Sequence, residues 1–253
     1  MPFAATARSL PFLYAAVTIV LIWQFVVILT KPDPSVLPQP ITVAWTLGHL
    51  LRDGELGLDT AYSLGRVISA WLLSAIVAIP LGLLMGSSRR LERLINPFVE
   101  LLRPISPLAW IPLAILWFGI GESGKIFVVF IGTFFPMLLS TIAGVKGIDP
   151  ILLHAGQVFG CTTRVALFLR VMVPASMPSI VVGLRVAFGT GWAAIIAAEL
   201  VAAHTGLGYL IANGMDILRA DEVLAGMIAI GVLGFLFDTF FRYLQGRYAR
   251  NAG

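Results

Sequence analysis

The chain has 253 residues, of which 58% are hydrophobic and only 12% charged, and it carries a formal net charge of +4. Soluble domains carry about a quarter charged residues, so this composition leaves too little polar surface for a monomer in water and points to the bilayer as solvent. The lone cysteine, Cys161, excludes an intrachain disulfide, and the basic residues cluster beside apolar runs, a topology signal that argues against nucleic acid as a partner. His49, His154 and His204 lie far apart and show no metal-ligand spacing.

A helix that crosses roughly 30 Å of hydrocarbon needs about 20 mainly apolar residues. Six segments meet that requirement. The first runs from Leu10 to Leu29, preceded by Arg8. It is too long for a signal-peptide core, and Lys31-Pro-Asp-Pro follows where a small-residue cleavage site would stand, so it reads as a retained helix. Residues 31–40 (KPDPSVLPQP) hold four prolines and read as an extended loop. Residues 41–53 have the pattern of a short amphipathic helix lying on the membrane. The second span covers Tyr62 to Gly86 and ends in SSRRLER. The third runs from Pro104 to Gly121 and the fourth from Lys125 to Val145. After a mixed stretch, Lys146 to Met177, come the fifth span, Pro178 to Ala203, and the sixth, Val223 to Phe241, before the basic tail RYLQGRYAR.

Orientation follows from Lys and Arg. The N-terminus, the loops after spans two and four, and the C-terminus together carry Arg8, Arg89, Arg90, Arg93, Arg103, Lys146, Arg164, Arg170, Arg242, Arg247 and Arg250. The opposite side carries Lys31, Arg52, Lys125 and Arg219. The richer side is expected to be cytoplasmic, with both termini inside. The expected fold class is therefore all-α and integral to the membrane.

The stretch Leu152 to Ile180, LLHAGQVFGCTTRVALFLRVMVPASMPSI, is too interrupted to cross the membrane and too apolar for a solvated linker. Leu152, Leu153, Gln157 and Val158 cluster on a short helix that Gly160 ends, with Cys161-Thr162-Thr163 as turn and cap. A second helix is expected from Thr163 to Met172, ended by Pro174 and Pro178 before span five. Two short helices with an exposed apolar stripe make a ridge for a partner's groove; a helix resting among lipid headgroups is the other reading.

This segment resembles the coupling loop of ABC importer permeases, whose motif reads Glu-Ala-Ala, three residues, Gly, and a spacer ending in apolar-x-Leu-Pro. Ala155, Gly160 and Pro174 match it; His154 stands in place of the acid, Gly156 in place of the second Ala and Val173 in place of the Leu. RPISPLAWIPLAILWFGIGES (Arg103 to Ser123), FFPMLLSTIAGVKGI (Phe134 to Ile148) and GLRVAFGTGWAAIIAAELVAAHTGLGYLI (Gly183 to Ile211) resemble the permease subfamily serving taurine, aliphatic sulfonates, nitrate and bicarbonate.

The resemblance implies the type I, methionine-importer-like permease fold in a bacterial plasma (inner) membrane. Residues 1–61 would form the tail, first helix and periplasmic loop, 62–241 the core with a coupling loop at 146–177, and 242–253 a cytoplasmic tail. It also implies a second copy of the chain, two cytoplasmic ATPase subunits that hold ATP and magnesium, and a periplasmic or lipid-anchored binding protein. G-x-x-x-x-G-K-[ST] is absent from this chain, so it is expected to bind no nucleotide cofactor itself. Leu153, His154, Ala155, Gly156, Gly160, Thr163 and Pro174 would form the surface that couples to the ATPases.

Charges and aromatics within the spans mark a candidate pathway. Arg185 and Glu199 share span five, about 21 Å apart along a helix, and charges at such depths face a bundle interior or watery cavity. One reading places them along the path, Arg185 drawing an anion at the inner mouth and Glu199 gating the outer side. The other has Arg185 snorkelling and Glu199 in a structural hydrogen bond or inter-subunit pair. Arg66 reads as a structural anchor, and Trp110 and Trp192 as pathway lining or interfacial anchors. Gly82 and Gly86 form a G-x-x-x-G that permits close helix packing. An ion-gradient-driven secondary transporter is the competing function; it would need ionisable residues at the midplane of several spans.

Overall fold

Every regular element in the computed structural model is helical among the described residues, which run from 3 to 251, with side chains described from 14 to 246. Arg8, Arg247 and Arg250 of the charge argument lie outside the described side chains. Helix α1 (Phe3–Thr30) contains the predicted first span, and α2 (Pro40–Arg52) is the predicted amphipathic helix, burying Val43, Thr46 and Leu50 at helical spacing on one face. Trp23 of α1 donates its indole N–H to the Pro38 carbonyl at 3.2 Å, fixing the proline-rich connection between them.

Three long helices make the centre: α3 (Glu55–Ser87), α6 (Glu122–Lys146) and α9 (Val173–Ala202). Without a water-driven hydrophobic effect in lipid, such helices associate through close van der Waals approach of small residues. A Cβ at Gly82 would lie 2.7 Å from the Thr141 Cβ, and one at Gly86 would lie 2.6 Å from the Val145 Cβ, so the G-x-x-x-G packs α3 onto α6 within the chain. The α6–α9 seam repeats the device, with Gly183 against Ser140 and Gly191 against Thr133. Buried hydroxyls add bonds where lipid supplies none: the Ser74 and Thr133 oxygens are 2.6 Å apart, and the Trp71 indole donates to the Leu184 carbonyl at 3.0 Å.

Among the described residues, four helices suit a crossing by length and apolarity: α3, α6, the run Arg164–Ala202 that contains α9, and Ala220–Gly246 within α11 (Ala220–Asn251). The third predicted span is corrected. Instead of one helix over Pro104–Gly121, α4 (Arg89–Leu102) meets a 3₁₀ turn (Pro107–Trp110) and α5 (Ile111–Phe118) at a bend of 83°. The cause is local. Pro104 and Pro107 remove backbone donors, and Ser106, the residue before Pro107, is pushed out of the helical region with ψ 138°. The polar segment SSRRLER, expected as a loop, is the start of amphipathic α4, whose Val99 is buried in a cluster with Met137 and Leu138 of α6.

That packing also corrects the placement of Arg103. Arg103, one turn beyond Val99, lines a cavity with Phe135, Pro136 and Leu139 from the middle of α6, which puts it beside an apolar span and not in a loop beyond the helix ends.

Candidate functional site

The segment between α6 and α9 is a rigid double turn. Asp149 caps α7 (Pro150–Val158) by accepting the Ile151 N–H at 2.8 Å, with Pro150 at the first helical position. The far end of α7 closes as a Schellman turn: the Cys161 N–H reaches the Gly156 carbonyl at 2.9 Å and the Gly160 N–H reaches the Gln157 carbonyl at 3.3 Å. Gly160 has φ +99°, a conformation that costs an L side chain strain. Thr163 caps α8 (Arg164–Leu167), accepting the Ala166 N–H at 3.1 Å.

Gly156, where the motif has Ala, lies where α7 crosses the following helix. A Cβ there would come within 2.7 Å of the Val171 Cγ2, so its absence lets the two helices close up. Pro174 and Pro178 do not end the second helix as expected. A π turn over Phe168–Met172 shifts the hydrogen-bond ladder ahead of Pro174, and helical structure continues from Arg164 into α9. Leu153 and Ala155 are half-buried and His154 is exposed. The apolar side chains left uncovered on α7 and its closing turn are Ile151, Leu152, Val158 and Phe159, the last 88% exposed. They form a firmly held apolar tip on a segment outside the spans.

At the opposite end of the bundle lies a network only partly foreseen. Glu199 is 1% exposed, yet Arg66 of α3 reaches its carboxylate at 2.7 Å, the Ser63 hydroxyl donates to it at 2.8 Å and the Gly208 N–H at 3.0 Å. The same guanidinium grips Glu122 of α6 in fork geometry at 2.6 and 2.8 Å, and Lys125 joins Glu122 at 2.9 Å. It also donates to the carbonyl and hydroxyl of Thr205. Gly206 has φ +115°, and a Cβ there would fall 2.5 Å from the Glu199 carboxyl carbon; one at Gly208 would meet the Ile196 carbonyl oxygen at 2.5 Å. The T-G-L-G run that opens α10 (Leu207–Asp216) is glycine-rich because its backbone must lie against Glu199. Three helices and this loop are thus joined through one buried guanidinium, that of Arg66.

The other pathway candidates separate. Arg185 is paired with Asp238 of α11 at 2.8 Å and also donates to Gln245. Trp192 is buried against α11, its indole donating to the Ile230 carbonyl at 3.3 Å. Trp110 packs edge-on to Phe127, and its buried indole nitrogen has no acceptor among the described residues. Arg185 and Glu199 therefore do not share a site.

A cavity of about 360 Å³ lies where the α4–α5 break faces α6 and α9. Arg103, Ile105, Pro107, Leu108, Phe135 and Thr190 are among its lining residues. Pro136 deprives the Gly132 carbonyl of its helical donor, and the Thr190 hydroxyl supplies the replacement at 2.8 Å.

Residues 78–250 match the family of binding-protein-dependent transport system inner membrane components. The chain belongs to that family. It is a multi-pass, membrane-spanning permease subunit of an ABC importer. Among relatives of this permease is a putative ABC transporter permease protein of Methanocaldococcus jannaschii, 44% identical over 90% of this chain and 87% of that one. The taurine transport system permease protein of Escherichia coli is 36% identical over 89% of this chain and 84% of its own length. The bicarbonate transport system permease protein of Synechocystis is 33% identical over 93% and 87%. A chain from inward-facing structures of the methionine ABC transporter MetNI has the same fold, with TM-score 0.65 at 17% identity over 74% of this permease and 92% of that chain. The type I importer fold expected from the coupling motif is the observed one, and membership of this family leaves the ion-gradient reading without support.

Sequence reasoning missed Glu122, Lys125, Ser63 and Asp238, and it did not join Arg66 to Glu199. One signal was present: Arg66 and Glu199 are lone opposite charges near corresponding ends of their spans, and charges at depth are usually paired.

Proposed function

We propose that two copies of this permease enclose a pathway for a small anionic or zwitterionic solute of the taurine or sulfonate kind. Each copy engages a cytoplasmic ATPase subunit through the tip of α7. A binding protein delivers solute on the opposite face, beside the Arg66–Glu199 network, and both termini are cytoplasmic. The observation that carries this reading is the exposed apolar tip, Ile151, Leu152, Val158 and Phe159, held by two side-chain caps and a Schellman turn. A surface that only rested on lipid would need no such rigidity. One that transmits force must not deform before it moves its neighbours.

The chain's connectivity supplies the lever. α7 follows α6 directly and leads through α8 into α9, and α6 and α9 are packed face to face through small residues. When ATP closes the partner subunits, displacement of α7 pulls the inner ends of both helices together. Their outer ends are locked to α3 through Glu199 and Glu122. The bundle therefore tilts as a body, opening one face of the pathway and closing the other. The exposed apolar surface of α1, including Leu21, Phe25 and Leu29, would lie against lipid and the neighbouring copy.

Substitution tests the docking surface. In the Phe159→Asp protein, ATP-hydrolysing activity should no longer copurify with the permease, while its elution as a folded membrane protein stays unchanged. Copurification at the wild-type level would overturn the assignment of α7 as the docking element.

A further inference from the structure

The α4–α5 break has two features that lipid does not tolerate, and both face the same cavity. First, residues 104–106 fall outside any helix opposite the middle of α6, and all three are exposed on the protomer. Non-helical backbone at that depth persists only where protein or a water-filled cavity covers it. Second, Arg103 stands in this break with no ion pair among the described residues. The nearest acid on its own helix, Glu100, accepts from Asn96 at 2.6 Å. An unpaired guanidinium at membrane depth is costly against acyl chains. By contrast, the other membrane-embedded arginines are satisfied within the chain, Arg66 by Glu122 and Glu199, and Arg185 by Asp238.

We infer that Arg103 is an anion-recognition residue of the translocation pathway, holding the sulfonate or carboxylate-like group of the solute in the cavity at the α4–α5 break. This rests on the importer reading above and adds to it the residue that sets charge preference. The cavity's volume of about 360 Å³ equals roughly a dozen waters at ~30 Å³ each, enough for a small organic anion. Its walls suit such a solute: Pro107, Leu108, Ile131, Phe135 and Ala193 are apolar, and Arg103 is the sole charged lining residue among the described residues. Thr190 already spends its proton on the Gly132 carbonyl, which leaves the guanidinium as the donor for an oxyanion. An apolar wall beside one cation also keeps the site weak enough to release its occupant, since no second donor closes around the anion.

The test reads charge preference directly and does not depend on the ATPase. In the full-length protein with its single cysteine replaced (Cys161→Ser), Ile105→Cys places a thiol on the cavity wall. Native membranes are treated with sulfonatoethyl methanethiosulfonate, whose head group is the sulfonate of taurine, and with its cationic trimethylammonium counterpart. The anionic reagent should react faster relative to the cationic one by about tenfold when Arg103 is present. Arg103→Gln should abolish that preference and Arg103→Lys should keep most of it. An unchanged ratio in Arg103→Gln, or a thiol that neither reagent reaches, overturns the inference. ATP-driven taurine uptake, measured in the unsubstituted transporter, reports separately on the importer reading. Uptake that fails while the reagent preference holds would remove the proposed substrate and leave the anion site standing.

Discussion

Replacing Arg66 by Met, a side chain of comparable length without charge, isolates the worth of the buried network. Glu199 is 1% exposed, and Arg66 is the cation that reaches it. Removing that cation leaves a carboxylate buried with only the Ser63 hydroxyl and the Gly208 N–H for support. Breaking a buried pair in this way costs about 3–5 kcal/mol. Glu122 adds little to the loss, because its side chain is 59% exposed and keeps Lys125 at 2.9 Å; a screened pair is worth about 0–1 kcal/mol.

For a chain of this size about 2–4 °C accompanies each kcal/mol, so thermal unfolding in detergent, followed by tryptophan fluorescence, should fall by on the order of 10 °C. Glu199→Gln should cost less, about 1–3 kcal/mol for the Gly208 N–H left without its acceptor, because Arg66 retains Glu122. Combining Arg66→Met with Glu199→Leu should recover part of the loss, since no charge is then left buried alone. An Arg66→Met protein that melts within about 2 °C of the wild type, or one less affected than Glu199→Gln, would refute the reasoning.

Three further outcomes follow from backbone geometry and packing. Gly160→Asn should preserve ATP-driven uptake because Asn tolerates the left-handed conformation, whereas Gly160→Val should abolish uptake while the permease still elutes as a folded protein. Gly206→Ala should destabilise at least as much as Arg66→Met, because its methyl would overlap the Glu199 carboxylate; a melting temperature equal to wild type would contradict that. Gly183→Leu should separate α9 from Ser140 of α6 and reduce the yield of folded protein, with expression in detergent as the measurement.

Much of this was readable from residue order. Apolar runs located α1, α3, α6, α9 and α11, and the proline cluster after Lys31 and the amphipathic pattern of α2 placed the surface helix. The turn after α7 was legible because Gly160 and Thr163 carry local conformational information: a left-handed residue ends one helix and a hydroxyl starts the next. What escaped was non-local or compensated. The 83° bend left α4 and α5 each too short to cross, although the residues around Pro104 and Pro107 look like the start of a continuous span. Pro174 and Pro178 signalled a stop that the π turn at Phe168–Met172 absorbed. The partners of Glu199 lie on α3 and in the first turn of α10, and no local pattern joins α3 to them across so much sequence. The sequence groups Arg103 with the cytoplasmic charges because its place beside α6 depends on how α4 packs, which no local pattern reveals.

The central claim is that this permease works as the membrane half of an ATP-driven assembly docked through α7. It is tested most directly by the mass of the intact complex purified from its native membrane in mild detergent. The account predicts two copies of this chain with two copies of an ATPase subunit, and loss of the ATPase in the Phe159→Asp protein. Recovery of the chain alone, under conditions that keep other membrane complexes whole, would contradict it.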